Sequence, residues 1–521
     1  MIFRSQVADI AIPDTPLTPF VLRRAQDLGD KPALIDGPSG RAITYRQLAG
    51  MVRLAAAGLA QRGFGKGDVM AIFSPNLPEY AVAFHAVATL GGLNTTTNSL
   101  YTADEVAFQL NDAGAKFLLT VPPFMGRAVE AAKKSRVQEI YVIGEAEGAT
   151  PVASLLQNDG QLPEVPIDPR EDIVALPYSS GTTGLPKGVM LTHRNLVANL
   201  AQIEAGMKDA TADDVIIGVL PFFHIYGMMV IMNAALMKGA TVVTMPRFDL
   251  EQFLQILQQY AVTRAYLVPP IVLALAKHPI VDKYDLSRLK VIFSGAAPLG
   301  EDVAQACADR LQVQIKQGYG MTETSPVTHA LSDGEVNPGS IGRLIPNTEC
   351  KIVDLATGAT LGPNQDGEIC VRGPQVMKGY LNNPEATAAT IDPEGWLHTG
   401  DVGHIDDQGY YFVVDRVKEL IKYKGYQVAP AELEAILLTH PRIADAAVIP
   451  SPDEESGEVP KAFVVLRSAV GTDEILSFVA HRVAPPKKVR LIEVVDEIPK
   501  SASGKILRRV LVERERAKTA R

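Results

Sequence analysis

Ten residues, Ser179 to Gly188, hold three glycines, four hydroxyls and one lysine, and two apolar runs flank them at 173–177 and 189–191. Apolar residues on both sides predict a loop held between two strands, because a disordered linker is seldom framed by core-forming segments. Gly181, Gly184 and Gly188 let backbone N–H groups approach an anion closely. Ser179, Ser180, Thr182 and Thr183 add donors and Lys187 adds a mobile positive charge, so the loop suits a polyphosphate. It is not the P-loop pattern, which needs Gly-Lys-Ser/Thr opening a helix, whereas Lys187 stands between Pro186 and Gly188.

The chain around this loop is too long for one core: 521 residues, 47% of them hydrophobic, predict at least two domains. From about residue 40 the pattern alternates, with 45–61 helical, 69–73 extended and 80–90 helical, which is the rhythm of an α/β fold. The rhythm resumes in a strand at 240–245 and a helix capped by Asp249, with Leu250, Phe253, Leu254 and Leu257 on one face. A strand at 291–293 then runs into the turn 294–298, against which a ligand can lie. Between about 339 and 414 short β segments separated by Gly, Pro and Asn take over, so a small β subdomain is expected. Beyond Asp415 come a Lys-rich segment, a helix opened by Pro430, and two apolar strands at 446–449 and 462–466, the mark of a separate α+β domain.

Composition narrows the partners. Cys307, Cys350 and Cys370 show no paired metal-ligand spacing, which favours buried thiols in a reducing cytoplasm over a disulfide framework or a structural zinc site. A net charge of −9 argues against a nucleic-acid partner. No leader and no bilayer-length apolar run is read, so a soluble cytoplasmic protein is expected. Arg508, Arg509 and Arg514 form a basic patch with two open readings, a contact for cofactor phosphates or a solvated helix face.

Further motifs follow the loop. Residues 317–323, Gln-Gly-Tyr-Gly-Met-Thr-Glu, place an aromatic ring, a hydroxyl and a carboxylate on one glycine-broken loop, suited to adenine, phosphate and Mg²⁺. Then come Trp-Leu-His-Thr-Gly-Asp at 396–401, the Arg416 to Lys424 segment and the small-residue loop ending at Lys505. If 415–425 is extended, Arg416, Lys418, Lys422 and Lys424 share one side. This ordered set resembles the adenylate-forming superfamily of acyl- and aryl-CoA synthetases, luciferases and peptide-synthetase adenylation domains. The resemblance implies that ATP and AMP are held by Ser179, Ser180, Gly181, Thr182, Thr183, Gly184, Lys187, Gln317, Gly318, Tyr319, Gly320, Thr322, Asp401 and Arg416. Tyr319 would stack on adenine, Asp401 and Arg416 would meet the ribose, and Glu323 with Thr183 would hold Mg²⁺. Lys505 would serve adenylation, Lys422 and Gln427 thioester formation, and Lys418 would be the hinge. The implied fold is α/β: a large N-terminal domain (1–415) of two α/β subdomains plus a small β-barrel, a hinge (416–418), and a small mobile α+β domain (419–521).

The segment 221–227, Pro-Phe-Phe-His-Ile-Tyr-Gly, places His224 and Tyr226 on one face if extended, and no aspartate occurs between 220 and 232 to pair with an amino-acid ammonium. By resemblance, His224, Tyr226, Val230, Phe293, Gly295, Ala296, Gly320, Pro326 and Val327 line the acyl site, with His224 also a catalytic gate. The wording is most similar to bacterial 4-coumarate- and cinnamate-CoA ligases, although Phe293 stands where some plant members have lysine. The implied reaction joins a small carboxylic acid to coenzyme A through an acyl-adenylate. The rival readings are a medium- or long-chain fatty acyl-CoA synthetase, a luciferase-like monooxygenase, an enzyme loading a carrier protein and a non-reacting nucleotide sensor. Lys505, expected on an exposed loop, is a candidate for acetylation that would silence adenylation.

Overall fold

The computed structural model describes residues 1–179, 186–207, 210–424, 426–453, 456–501 and 504–519, the side chains of Gln427 and Thr519 excepted. Its first half is built on two large sheets. In an eight-stranded sheet the strands Ile173–Ser179, Leu93–Thr96, Val69–Ile72, Ala115–Thr120, Glu139–Val142 and Thr150–Pro151 run parallel, and Lys187–Thr192 and Gly379–Tyr380 close one edge antiparallel. The glycine-rich loop therefore does connect two strands, with Lys187 opposite Ser179 and Gly188 opposite Tyr178. The nine-stranded sheet has a parallel centre (Gln314–Gly320, Val291–Ser294, Arg264–Leu267, Val215–Gly218, Thr241–Thr244, Pro32–Asp36) with antiparallel strands at both edges. Such central strands are apolar on both faces because helices cover each side. One continuous core joins the two sheets, with Ile72, Val174 and Leu191 of the first and Ile217, Val243 and Ile292 of the second packed around Leu196, Leu200 and Ile203 of helix His193–Gly206.

Local chemistry accounts for the helix starts. Thr44 and Gln47 form a reciprocal capping box before helix Tyr45–Gln61, and Asp249 accepts the Gln252 N–H at 2.9 Å before helix Leu250–Gln259.

Where a small β-barrel was expected, the structure has a five-stranded antiparallel sheet (Phe3–Arg4, Glu349–Val353, Gly367–Arg372, Leu397–Ile405, Tyr411–Arg416) whose strand order does not return on itself. The C-terminal α+β unit holds a five-stranded sheet in which Gly457–Leu466 is central and pairs along its whole length with the edge strand Ile443–Asp453. Period-two alternation serves two cores: Ala446 and Val448 face Leu433, Leu437, Ile475 and Val479, while Ala447 and Ile449 face Phe463, Ile498 and Leu511.

Two local expectations fail. Segment 415–425 is not continuously extended: residues 417–419 form a turn in which Glu419 and Leu420 both donate backbone N–H to Arg416 O, at 3.0 and 3.1 Å. Val417 and Leu420, spaced as in a helical turn, thereby pack with Val402 and Ala429, so the lysines do not form one stripe. Nor is Arg508 a solvated or phosphate-facing cation. Its guanidinium is buried between Glu434, at 2.6 Å, and Glu419, while Arg509 stays exposed beside Glu513.

Candidate active site

Asp401, on strand Leu397–Ile405, is 5% exposed and sits at the centre of the site. Oδ1 forms an ion pair with Arg416 Nε, 3.2 Å away on the neighbouring strand, and Oδ2 accepts the Tyr319 hydroxyl at 2.5 Å. Burial pushes the carboxyl up, and the Arg416 charge and the Tyr319 hydrogen bond oppose that rise. Each oxygen keeps a second lone pair for an incoming hydroxyl. Gln317, in the same strand as Tyr319, ties its amide to Leu299 N and Leu299 O, both at 3.3 Å, and so fixes the end of the turn that follows Val291–Ser294. Gly318 and Thr322 belong to this run, and Gly320 cannot be replaced freely, since a β-carbon there would lie 1.9 Å from Pro326 O.

A second cluster lies at the base of the glycine-rich loop. Lys187 Nζ stands 4.2 Å from the centre of the Tyr380 ring, and the Tyr380 hydroxyl donates to Glu323 Oε1 at 2.9 Å. Glu323 is buried at 4% exposure, so its carboxylate keeps an oxygen available for a hard cation where few other groups compete. Ser179 ends its strand, whereas Ser180, Gly181, Thr182, Thr183 and Gly184 lie outside the described residues.

The acyl-site expectations converge in part. Tyr226 donates its hydroxyl to Phe293 O at 3.1 Å, and a side chain on Gly295 would meet the Tyr226 ring at 3.0 Å, so Tyr226, Phe293 and Gly295 form one wall. Gly320, Pro326 and Val327 form another, held by Asn199, which accepts from Val327 N at 3.1 Å and donates to Val327 O at 2.8 Å. Val230 is buried, and Ala296 takes a left-handed φ of 68° in the turn. His224 and Tyr226 do not share a strand face: Tyr226 opens a π-helix, Tyr226–Asn233, and His224 Nδ1 accepts the Tyr226 N–H at 3.2 Å. Single π turns widen a helix and often mark functional sites. Burial, then the nearby Lys505 charge, lowers the His224 pKa to about 4, so the ring is neutral with its proton on Nε2.

Lys505 is not on an exposed tail. Its backbone is tied to Ser501: Ser501 N donates to Lys505 O and Gly504 N to Ser501 O, both at 2.8 Å. Gly504, at φ 76°, faces Val268 and Pro270 of the N-terminal part, where a β-carbon would come within 3.1 Å of Val268 and 3.5 Å of Pro270. This contact brings the ammonium into the field of Arg416, Glu419 and Asp401. Burial, followed by the Arg416 charge, lowers its pKa to about 8. The C-terminal unit is also held by Lys277, which donates to Leu438 O at 3.0 Å, and by Ala431 N, which donates to Asp415 Oδ2 at 2.9 Å beside Lys418. Lys422 is instead exposed, on a strand where it pairs directly with Gln427.

Tyr380, Asn199 and Glu368, which accepts the Gly400 N–H at 3.0 Å, are site-building residues that the motif reading missed. None stands in a phosphate- or adenine-type pattern, and only their cross-chain contacts reveal them.

The chain is similar to known proteins over almost its whole length. Residues 21–381 match the family model described as AMP-binding enzyme, and residues 432–505 match the AMP-binding enzyme C-terminal domain. A 4-coumarate–CoA ligase 2 of Petroselinum crispum is 46% identical over 98% of this chain and 96% of its own length. A 4-coumarate–CoA ligase of Pinus taeda is 47% identical over 99% and 98%. Among solved structures, the anthranilate CoA ligase AuaEII in complex with anthranoyl-AMP superposes with a TM-score of 0.91 at 27% identity, covering 98% of this chain and 99% of that one. ATP-bound MatB from Rhodopseudomonas palustris gives 0.86 at 29% identity, covering 96% and 99%.

Proposed function

The chain belongs to the AMP-binding enzyme family, and on that premise we propose that it is an ATP-dependent acid–CoA ligase acting on an aryl acid of the 4-coumarate or cinnamate type, whose tail carries no charge besides the carboxylate. The observation that carries the reading is the convergence of Lys505 from the C-terminal unit with Asp401 and His224 from the N-terminal part and Arg416 at the hinge.

In the first step a carboxylate oxygen attacks the α-phosphorus of ATP and pyrophosphate leaves. Lys187 and the loop 179–184 hold the outgoing phosphates, Asp401 and Arg416 hold the ribose, and Tyr319 with Thr322 borders the adenine and the α-phosphate. Lys505 stands by the group that gains negative charge, in a partly dehydrated setting where one donor is worth roughly 10² to 10³ in rate. Mg²⁺, with Glu323 and Thr183 as its protein ligands, would neutralise phosphate charge. In the second step the CoA sulfur attacks the adenylate carbonyl and AMP leaves. For this the unit 419–521 turns about 416–418 relative to 1–415, bringing Lys422 and Gln427 in place of Lys505. Their direct cross-strand pairing supports a shared role.

Tyr226, Phe293 and Gly295, packed together as one wall of the acyl site, would favour a flat ring. The cations behind Phe293 do not counter this, since Lys316 pairs with Asp333 at 2.6 Å and Arg264 pairs with Asp214 and Asp333. Acetylation of Lys505 would remove the charge from the first step. No helix of the described residues is long and apolar enough to cross a membrane, and three buried, unpaired cysteines support a cytoplasmic location. The test is acid-dependent AMP release with cinnamate, 4-coumarate, benzoate, octanoate and palmitate, each with and without CoA. Phenylpropenoid preference with CoA-dependent turnover supports the reading, preference for octanoate or palmitate makes the chain a fatty acyl-CoA synthetase, and indifference to CoA refutes the ligase.

A further inference from the structure

Beside the nucleotide site, on the sheet that also carries Asp401, one face gathers a thiol, an imidazole and the second oxygen of the carboxylate that accepts the Gly400 N–H. Glu368 and Cys370 lie two apart on strand Gly367–Arg372 and so point to the same side, and His398 on strand Leu397–Ile405 is the direct partner of Cys370. The register shifts between these two residues, since Glu368 pairs with Val402 and Cys370 with His398, so the extra residues lie on the partner strand and this strand keeps its alternation. His398 Nδ1 lies 2.8 Å from Glu368 Oε2 and 3.4 Å from Cys370 Sγ, and one ligand atom from each of the three falls within 4.8 Å of the others.

We propose that Glu368, Cys370 and His398 form a binding site for a thiophilic divalent cation of the zinc class. Tetrahedral bonds of about 2.3 Å to sulfur and about 2.0–2.1 Å to nitrogen and oxygen require Sγ···Nδ1 of about 3.6 Å and Nδ1···O of about 3.3 Å. The observed separations are shorter by a few tenths of an ångström, which small side-chain rotations supply. The cation takes the place of the proton shared by His398 Nδ1 and Glu368 Oε2, and the Cys370 thiol proton is released to solvent. One thiolate, one imidazole and one carboxylate suit zinc or cadmium rather than magnesium or calcium. The neighbouring charges fit. Lys351, the cross-strand partner of Cys370 on its other side, has its ammonium 3.6 Å from Asp392, and Asp392 also lies 3.7 Å from His398 Nε2. That carboxylate offsets the lysine and faces the ring nitrogen left free of metal, the usual second partner of a ligating histidine. Cys370 is fully buried, but the His398 side chain is 34% exposed and gives an entry path. The site stands apart from the proposed Mg²⁺ ligands and does not depend on the ligase reading.

The experiment adds cadmium alone to the metal-free full-length chain, with no nucleotide present. The expected result is a saturable thiolate-to-cadmium ultraviolet band at one equivalent and a rise in melting temperature. Cys370→Ser should abolish both, His398→Gln should weaken binding at least about tenfold, and Cys307→Ser and Cys350→Ser should retain both. Cadmium-113 NMR of the wild-type chain needs no variant and should report a single sulfur ligand among nitrogen and oxygen. No saturable band, a band surviving in Cys370→Ser, unchanged affinity in His398→Gln, or a cadmium resonance showing no sulfur or several would overturn the proposal.

Discussion

Replacing Lys505 by alanine tests the reading where it is most exposed. The ammonium is held in a setting that disfavours charge: its pKa falls from an ordinary 10.5 to about 8, which corresponds to about 3 kcal/mol against the charged form. Burial is the larger cause and Arg416 the next, while Glu419 and Asp401 act the other way. That cost is met in the ground state, before substrate arrives. A developing negative charge about 4 Å away then recovers about 4 kcal/mol at an effective dielectric near 20. Lys505→Ala should therefore slow adenylation by roughly 10² to 10³. Thioester formation from a preformed acyl-adenylate should stay within about tenfold of wild type, because the proposed second step uses the other orientation of the C-terminal unit. Acid-dependent pyrophosphate release measures the first rate, and CoA-thioester formation from synthetic adenylate measures the second. Equal losses in both steps, or adenylation within about tenfold of wild type, would refute the argument.

The same group sets a pH dependence. A lysine charged below about 8 and neutral above it should make kcat/KM for adenylation fall as pH rises through about 8, and Lys505→Ala should lack that limb. His224, whose pKa is about 4, should add no transition between pH 5 and 9. Lys277→Ala removes the bond to Leu438 O at the end of helix Pro430–Thr439, so single-turnover adenylation should fall up to about tenfold while thioesterification of preformed adenylate holds or rises; parallel losses would exclude a latch. Asp401→Asn leaves the Arg416 charge without its buried partner and should raise KM for ATP by about 10 to 100-fold with little change in KM for the acid. Phe293→Leu should shift kcat/KM toward ring-substituted acids over cinnamate by about tenfold, read from paired substrate titrations.

What could be read from the sequence follows from the range over which each signal acts. Capping boxes, period-two strands and the strand–loop–strand frame of the glycine-rich segment depend on residues a few positions apart, and helix Tyr45–Gln61 was legible to both ends. Helical-turn spacing of Val417 and Leu420 was just as local, but the spacing of the lysines suited an extended segment, and the apolar pair decided the outcome because it could reach Val402 and Ala429. Partnerships across long stretches of chain were illegible: Tyr380 on Glu323, Asn199 on the Val327 backbone, and the meeting of Cys370 with His398, which no cysteine spacing encodes. Lys505 joins the two cases. Its motif marked the residue, yet motif and composition left its environment open, and an isolated lysine among small residues reads as solvated. The lowering of its pKa to about 8 comes first from burial and next from the Arg416 charge, in a place where the neighbouring Gly504 faces Val268 and Pro270. A lysine with an ordinary pKa would keep its water and bring less field to the reacting phosphate, so the packing that seats a glycine against a proline is itself part of what the charge can do.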